Sequence, residues 1–196
     1  MIPGFLAGDP SLSRLAVWLR GGGFDTERSG IALNVDCSER IARRLERRLE
    51  RLVDRCGRPA VVIGQSRGGV LGWLLAVRRP ELVEHLVTLG SPLRDQLDVF
   101  PTPWIGIGAV GLLGTLGVPG FFGLGCYRGR CCAQVRADLE APLPEGVRLT
   151  AFYSRRDAIV RWRACVPAQG ESVEVRSSHL GMGLDEKLWR ELARRL

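Results

Sequence analysis

The stretch Ala60-Val61-Val62-Ile63-Gly64-Gln65-Ser66-Arg67-Gly68-Gly69 decides the fold. Gly57-Arg58-Pro59 introduces it, and the β-branched run Val61–Ile63 reads as a buried strand. A helical stretch from Arg67 to Arg79 follows and is stopped by Pro80. The junction Gly64-Gln65-Ser66-Arg67-Gly68 fits G-x-S-x-G, with a strand directly before it and a helix directly after. The spacing has a steric reason. A serine on so sharp a turn projects its hydroxyl above the sheet edge, and residues two before and two after must be small to avoid meeting across the turn. The N–H groups that open the helix then point at any negative charge developing beside the serine. Ser66 is the candidate nucleophile.

Outward from this junction, helices and strands alternate. Ser11–Arg20 reads as a short helix with Ser11 or Ser13 as cap, stopped by Gly21–Gly23. Ser38–Cys56 is the clearest helix: Ile41, Leu45, Leu49, Leu52 and Val53 recur at helical spacing behind a Ser38 cap. Its arginines read as a solvated face paired as Arg43–Glu46 and Arg51–Asp54, and no aromatic residues interleave them as in a nucleic-acid surface. His85–Gly90, Leu149–Tyr153 and Val173–Val175 read as further strands, and Leu184–Leu196 as a closing amphipathic helix. This order predicts one α/β domain, residues 1–196, with a mostly parallel sheet flanked by helices. A Gly/Pro-rich block at about 93–144 interrupts the alternation as an insertion.

Composition narrows the functional classes. With 196 residues, 45% hydrophobic and 25% charged, the chain can build a core and is neither disordered, collagen-like nor coiled coil. The formal charge of +7 is carried almost wholly by arginine, Lys187 being the single lysine. Ile105–Gly125 is uncharged and long enough for a membrane span, but glycine recurs every third residue from Gly108 to Gly123 and Pro119 lies within it. No stable span is expected; the segment reads as an apolar cap over a pocket. Met1–Pro10 lacks the basic and long apolar regions of a secretory leader, which sets a cytoplasmic default unless a further segment precedes it. Of six cysteines, Cys126 and Cys131 bracket a turn and could form a local disulfide. Zinc is set aside because the second ligand pair and its histidines are absent, so neither a metal nor an organic cofactor is expected.

A serine needs a base, and two histidines exist. His85 opens a strand, at the end of the sheet away from chemistry, and reads as a surface or strand-start residue. His179, in the loop Ser177-Ser178-His179-Leu180 after the last strand, is the candidate base. Asp157 follows the third strand and is the candidate orienting carboxylate. The chain order is then Ser66, Asp157, His179. Backbone N–H groups of Arg67 and of Phe5, in Pro3-Gly4-Phe5, are candidates for an oxyanion hole.

Pro3-Gly4-Phe5-Leu6-Ala7-Gly8, the Gly64–Gly69 elbow, Thr88-Leu89-Gly90-Ser91-Pro92, the Asp157 segment and Ser178-His179 together resemble the small α/β-hydrolases of the esterase/lipase group, including actinobacterial-type serine hydrolases. The resemblance implies a minimal α/β-hydrolase fold with an apolar cap. It also implies cleavage of small-molecule or lipid esters through an acyl-serine, or, alternatively, acyl transfer by the same triad to an alcohol or amine. Leu6, Trp104, Phe121 and Phe122 are the expected acyl-pocket residues. Two features depart from the family pattern. Pro3 stands where a histidine is usual, and the strands that normally precede the oxyanion loop are missing, so a reduced sheet is expected.

Overall fold

The computed structural model describes residues 1–196. Four strands, β1 (Ala60–Gln65), β2 (Val83–Leu89), β3 (Arg148–Ser154) and β4 (Glu171–Val175), pair in that order. All three pairings are parallel. Ile2 adds a single parallel bridge on the free side of β1, its N–H donating to Ile63 O at 2.8 Å. That bridge brings the N-terminal loop to the nucleophile.

Helices cover both faces of the sheet. On one lie α2 (Ser38–Cys56), α3 (Arg67–Arg78) and α5 (Ala133–Glu140). There Ile41, Leu45 and Leu49 of α2, Leu71, Leu74 and Leu75 of α3 and Val135 of α5 pack on Val62, Leu86 and Leu149 of the strands. On the other face lie α1 (Ser13–Gly21) and α6 (Glu186–Ala193), whose Leu15, Leu19, Leu188 and Leu192 meet Ile63, Val87, Leu89 and Phe152. Parallel strands buried on both sides explain why these segments read as continuous apolar runs. Each fully buried leucine or phenylalanine contributes roughly 1.5–3 kcal/mol over an exposed one.

Several local expectations are corrected. Ser11 and Ser13 do not cap α1: residues 9–12 form a 3-10 turn first, and Ser11 Oγ donates back to Gly8 O. Ser38 does not cap α2; it is the first helical residue after Cys37, and its Oγ accepts from Arg67. The arginines of α2 pair upstream, Arg43 with Glu39 and Arg40 with Asp36, because a carboxylate near a helix N-terminus also gains from the helix dipole. Glu46 pairs instead with Arg78 of α3, which also holds Glu39 and Asp138 in a largely buried network. The closing helix is shorter than expected, and Asp185 caps it by accepting from Lys187 N–H. His85 lies within β2 rather than at its start or on the surface. It is buried, with Nε2 2.9 Å from Thr150 Oγ1 on the same sheet face.

The glycine-rich segment forms α4 (Pro101–Thr115) and then turns back at Gly117 and Gly120, both at positive φ. The returning chain lies so close that a Cβ on Gly114 would sit 2.2 Å from Phe122 O, and one on Gly111 2.6 Å from Leu124 Cδ2. Gly111 and Gly114 thus clear a lane on α4 for its own return. No helix is long and apolar enough to cross a membrane.

Candidate active site

Ser66 sits at φ 52°, ψ −123°, between β1 and α3. Ser66 and Leu6 are the two non-glycine residues at positive φ, so backbone strain of about 1–3 kcal/mol each collects at one place in the molecule. The elbow requires its small neighbours. A Cβ on Gly64 would lie 2.4 Å from the Gly68 carbonyl group, and one on Gly68 2.1 Å from Ile2 O. Gly69 would press on Ser91 Oγ at 2.1 Å. The turn is tied to the sheet by the Ser66 N–H, which donates to Leu89 O at 2.8 Å.

The residue after Leu89 is Gly90, at φ 60°. Directly against it stand both members of the other pair: its Cβ would be 3.2 Å from His179 Nδ1 and 3.2 Å from Asp157 Oδ2. His179 Nδ1 and Asp157 Oδ2 are 2.6 Å apart, and both side chains are almost fully buried. Asp157 ends a turn after β3. Its other oxygen, Oδ1, accepts from the N–H groups of Ile159 and Val160 at 2.8 and 2.9 Å. These bonds fix the carboxylate, and a carboxylate on Nδ1 places that ring proton, leaving Nε2 as the free acceptor. The structure therefore brings Ser66, Asp157 and His179 to the same C-terminal end of the sheet, each from a different strand end. His85 lies four residues lower on β2, roughly 13 Å away along the strand. Burial pushes its pKa down to about 4.

Gly4 faces the serine: a Cβ there would approach Ser66 Cβ at 3.3 Å. The loop turns through an Ala7 N–H to Gly4 O bond. Its Pro3 carbonyl accepts from Asn34 Nδ2 at 2.7 Å, a link between residues 31 apart that no motif marks. Asn34 is in turn held by Arg67, whose Nη1 donates to Asn34 O and Oδ1 at 3.0 Å each. Arg67 Nη2 reaches Asp36 O at 2.6 Å and Ser38 Oγ at 3.1 Å. Burial lowers the guanidinium pKa to about 10, so it stays charged at neutral pH. For Arg67 the sequence pointed only to the backbone N–H; its side chain proves to be the brace between α2 and the Gly4 loop. Gln65, also unassigned from sequence, donates Nε2–H to His179 O at 3.0 Å.

Of the four expected pocket residues, Phe122 lies against Phe5, and Leu6 lies under α4. The Phe122 ring lies 6.1 Å from Phe5 and 5.6 Å from the Arg67 guanidinium carbon. A Cβ on Gly106 of α4 would touch Leu6 Cδ1 at 3.2 Å. Trp104 is nearly half exposed on α4, and Phe121 is half-buried beside Phe122. Around them Ile105 is 77% exposed and Leu116 72%, and Leu180, next to His179, is 75% exposed. Cys126 and Cys131 are not bonded; their Sγ atoms are 3.6 Å apart, and Cys132 and the distant Cys37 join them.

No protein-family model matches this chain, and no curated protein matches it by sequence. Solved structures do. The mature lipase BlEst2 of Bacillus licheniformis superposes with a TM-score of 0.74 at 12% identity, over 99% of this chain and 89% of that one. A structure from work on LipS and LipT, two metagenome-derived lipolytic enzymes, gives 0.66 at 17% identity over 99% and 91%. A monoacylglycerol lipase of Paleococcus ferrophilus gives 0.59 at 15% identity over 99% and 91%. The chain has the α/β-hydrolase fold, in a small form with four parallel strands.

Proposed function

We propose that the protein is a serine hydrolase of carboxylic esters, acting through an acyl-enzyme. The observation that carries this reading is the buried His179–Asp157 pair packed on Gly90, next to a serine held at positive φ on a strand–helix elbow. His179 Nε2 takes the Ser66 hydroxyl proton as Oγ attacks the ester carbonyl. Asp157 keeps the ring in the useful tautomer and stabilises the imidazolium. The oxyanion is met by the N–H groups of Arg67 and Phe5, neither of which donates to a protein carbonyl. The imidazolium then protonates the leaving alcohol, and water deprotonated by His179 releases the acid and restores Ser66.

The substrate end of the reading rests on the apolar surroundings of Phe5. Leu6 and Phe122 offer an acyl chain contact there, and exposed Ile105, Leu116 and Leu180 suit an ester presented in a micelle or droplet. That lipases and other lipolytic enzymes superpose on this chain supports that class. The test is hydrolysis of p-nitrophenyl esters with labelling by a fluorophosphonate. Ser66→Ala and His179→Ala should each remove turnover by at least about a thousandfold, while His85→Gln should retain it. An unlabelled wild type with no esterase activity would overturn the proposal.

A further inference from the structure

The sequence carries a cysteine cluster that the ester chemistry does not use. Cys37 precedes the first turn of α2, and Cys126, Cys131 and Cys132 lie on the turn where the α4 return leads into α5. Their four Sγ atoms all fall within 4.8 Å of one another. Cys37–Cys132 is 3.6 Å, Cys126–Cys131 3.6 Å, Cys126–Cys132 3.5 Å and Cys131–Cys132 4.0 Å. We propose that these four thiolates hold one zinc ion as a structural tetrahedral site.

The dimensions fit one ion. A zinc–thiolate bond of about 2.3 Å sets a tetrahedron edge of about 3.8 Å, in the middle of the observed separations. Cys132 has all three other sulfurs within 4.0 Å, and Cys126 and Cys131 two each, as ligands around a common centre do. The turn is shaped to gather them. Gly129 N–H donates to Cys126 O at 3.1 Å and Cys132 N–H to Gly129 O at 3.2 Å. A Cβ on Gly129 would sit 2.8 Å from Gly125 O, so the turn closes only around glycine.

Charge supplies an independent argument. Zinc with four thiolates carries two net negative charges. Arg67 lies close to the cluster with its guanidinium largely desolvated, and its acceptors are two carbonyls, an amide oxygen and a hydroxyl, all neutral. The two carboxylates beside Cys37 are already occupied, Asp36 by Arg40, Arg44 and the Cys37 N–H and Glu39 by Arg43 and Arg78. A buried guanidinium without a carboxylate is costly, and an anionic metal centre beside it lowers that cost. The ion would lock the end of the apolar hairpin to the α2 N-terminus. Asp36 and Ser38 flank Cys37 and grip Arg67, and Arg67 grips Asn34, which holds the Pro3 carbonyl. The site thus braces the oxyanion loop at one remove and touches no reacting atom.

The test is metal analysis of the full chain purified under reducing conditions, independent of ester turnover. One zinc per chain is expected, released when four thiols are titrated by a mercurial. Exchange into cobalt should give the thiolate-to-cobalt band and the visible envelope of a tetrahedral sulfur site. Cys37→Ser should lower bound zinc at least about tenfold, while Cys56→Ser, on an exposed cysteine outside the cluster, should keep it. Should Cys37→Ser not fold, the thiol count and cobalt spectrum of the wild type decide. A metal-free protein with four free thiols in the cluster, two disulfides in the reduced-purified chain, or one iron in place of zinc would overturn the assignment.

Discussion

Gln65 and His179 are 114 residues apart in sequence, yet the Gln65 amide donates to the His179 backbone carbonyl at 3.0 Å. The residue before the candidate nucleophile thus anchors the loop that carries the candidate base. Gln65 is buried, and Gly183 packs 3.4 Å from its Oε1 when a Cβ is drawn there. The elbow therefore sets the histidine's position as well as the serine's.

Gln65→Leu keeps the volume and removes the donor. Turnover of a short ester should fall about tenfold with KM nearly unchanged, since the histidine acts on the transition state rather than on binding. Gln65→Glu, whose carboxylate faces a carbonyl, should be at least as harmful. Steady-state kinetics alongside a thermal melt separate the two effects: a loss of kcat confined to a large drop in Tm would count against a positioning role.

Asp157→Asn should preserve the turn, because its remaining carbonyl oxygen can still accept from Ile159 and Val160 N–H. It would present an amide to the ring and favour the wrong tautomer. A drop in kcat of about four orders of magnitude at neutral pH is expected, with partial recovery in alkali. The pH–rate profiles of wild type and variant provide the comparison.

His85 predicts an acid-labile fold. Its folded pKa of about 4 lies below the ordinary 6.5, so the unfolded chain binds the proton first as pH falls. The full contribution is present above pH 6.5 and is lost between 6.5 and 4, on the order of 3 kcal/mol. Urea unfolding at pH 7 and pH 4.5 should show a smaller difference for His85→Gln than for wild type. Equal pH slopes in the two proteins would contradict this.

The Phe5–Phe122 contact predicts chain-length selectivity. Each methylene buried there is worth about 0.8 kcal/mol, or up to about fourfold in kcat/KM, until the site is full. Phe122→Ala should flatten the profile across acetyl to dodecanoyl esters. A wild-type profile that is flat from the start would remove Phe122 and Leu6 from the acyl site.

What the sequence determined by itself is what short-range sterics dictate. Gly64 is required by a contact within one strand–turn–helix, where a Cβ would meet Gly68, so the elbow, the strand–helix alternation and the end of the sheet where Asp157 and His179 emerge were legible; Gly68 and Gly69 are held small by Ile2 and Ser91, which come from outside that unit. Tertiary structure decided what depends on which distant segments meet. Nothing near His85 in the chain announces Thr150 or the closed face that neutralises its ring. Nothing near Gly111 and Gly114 shows that the chain returns across them, with Phe122 and Leu124 filling the space that their missing side chains leave. Cys37 is 89 residues before Cys126, and no spacing in the chain marks it as a partner of the turn's cysteines. Arg67 could be assigned only its backbone N–H, because the groups that bind its side chain come from a loop whose approach is fixed by the packing of α2 on α3. Local geometry is written in neighbouring residues; proximity across a hundred residues is set by how the sheet orders its strands and how the helices then close over it.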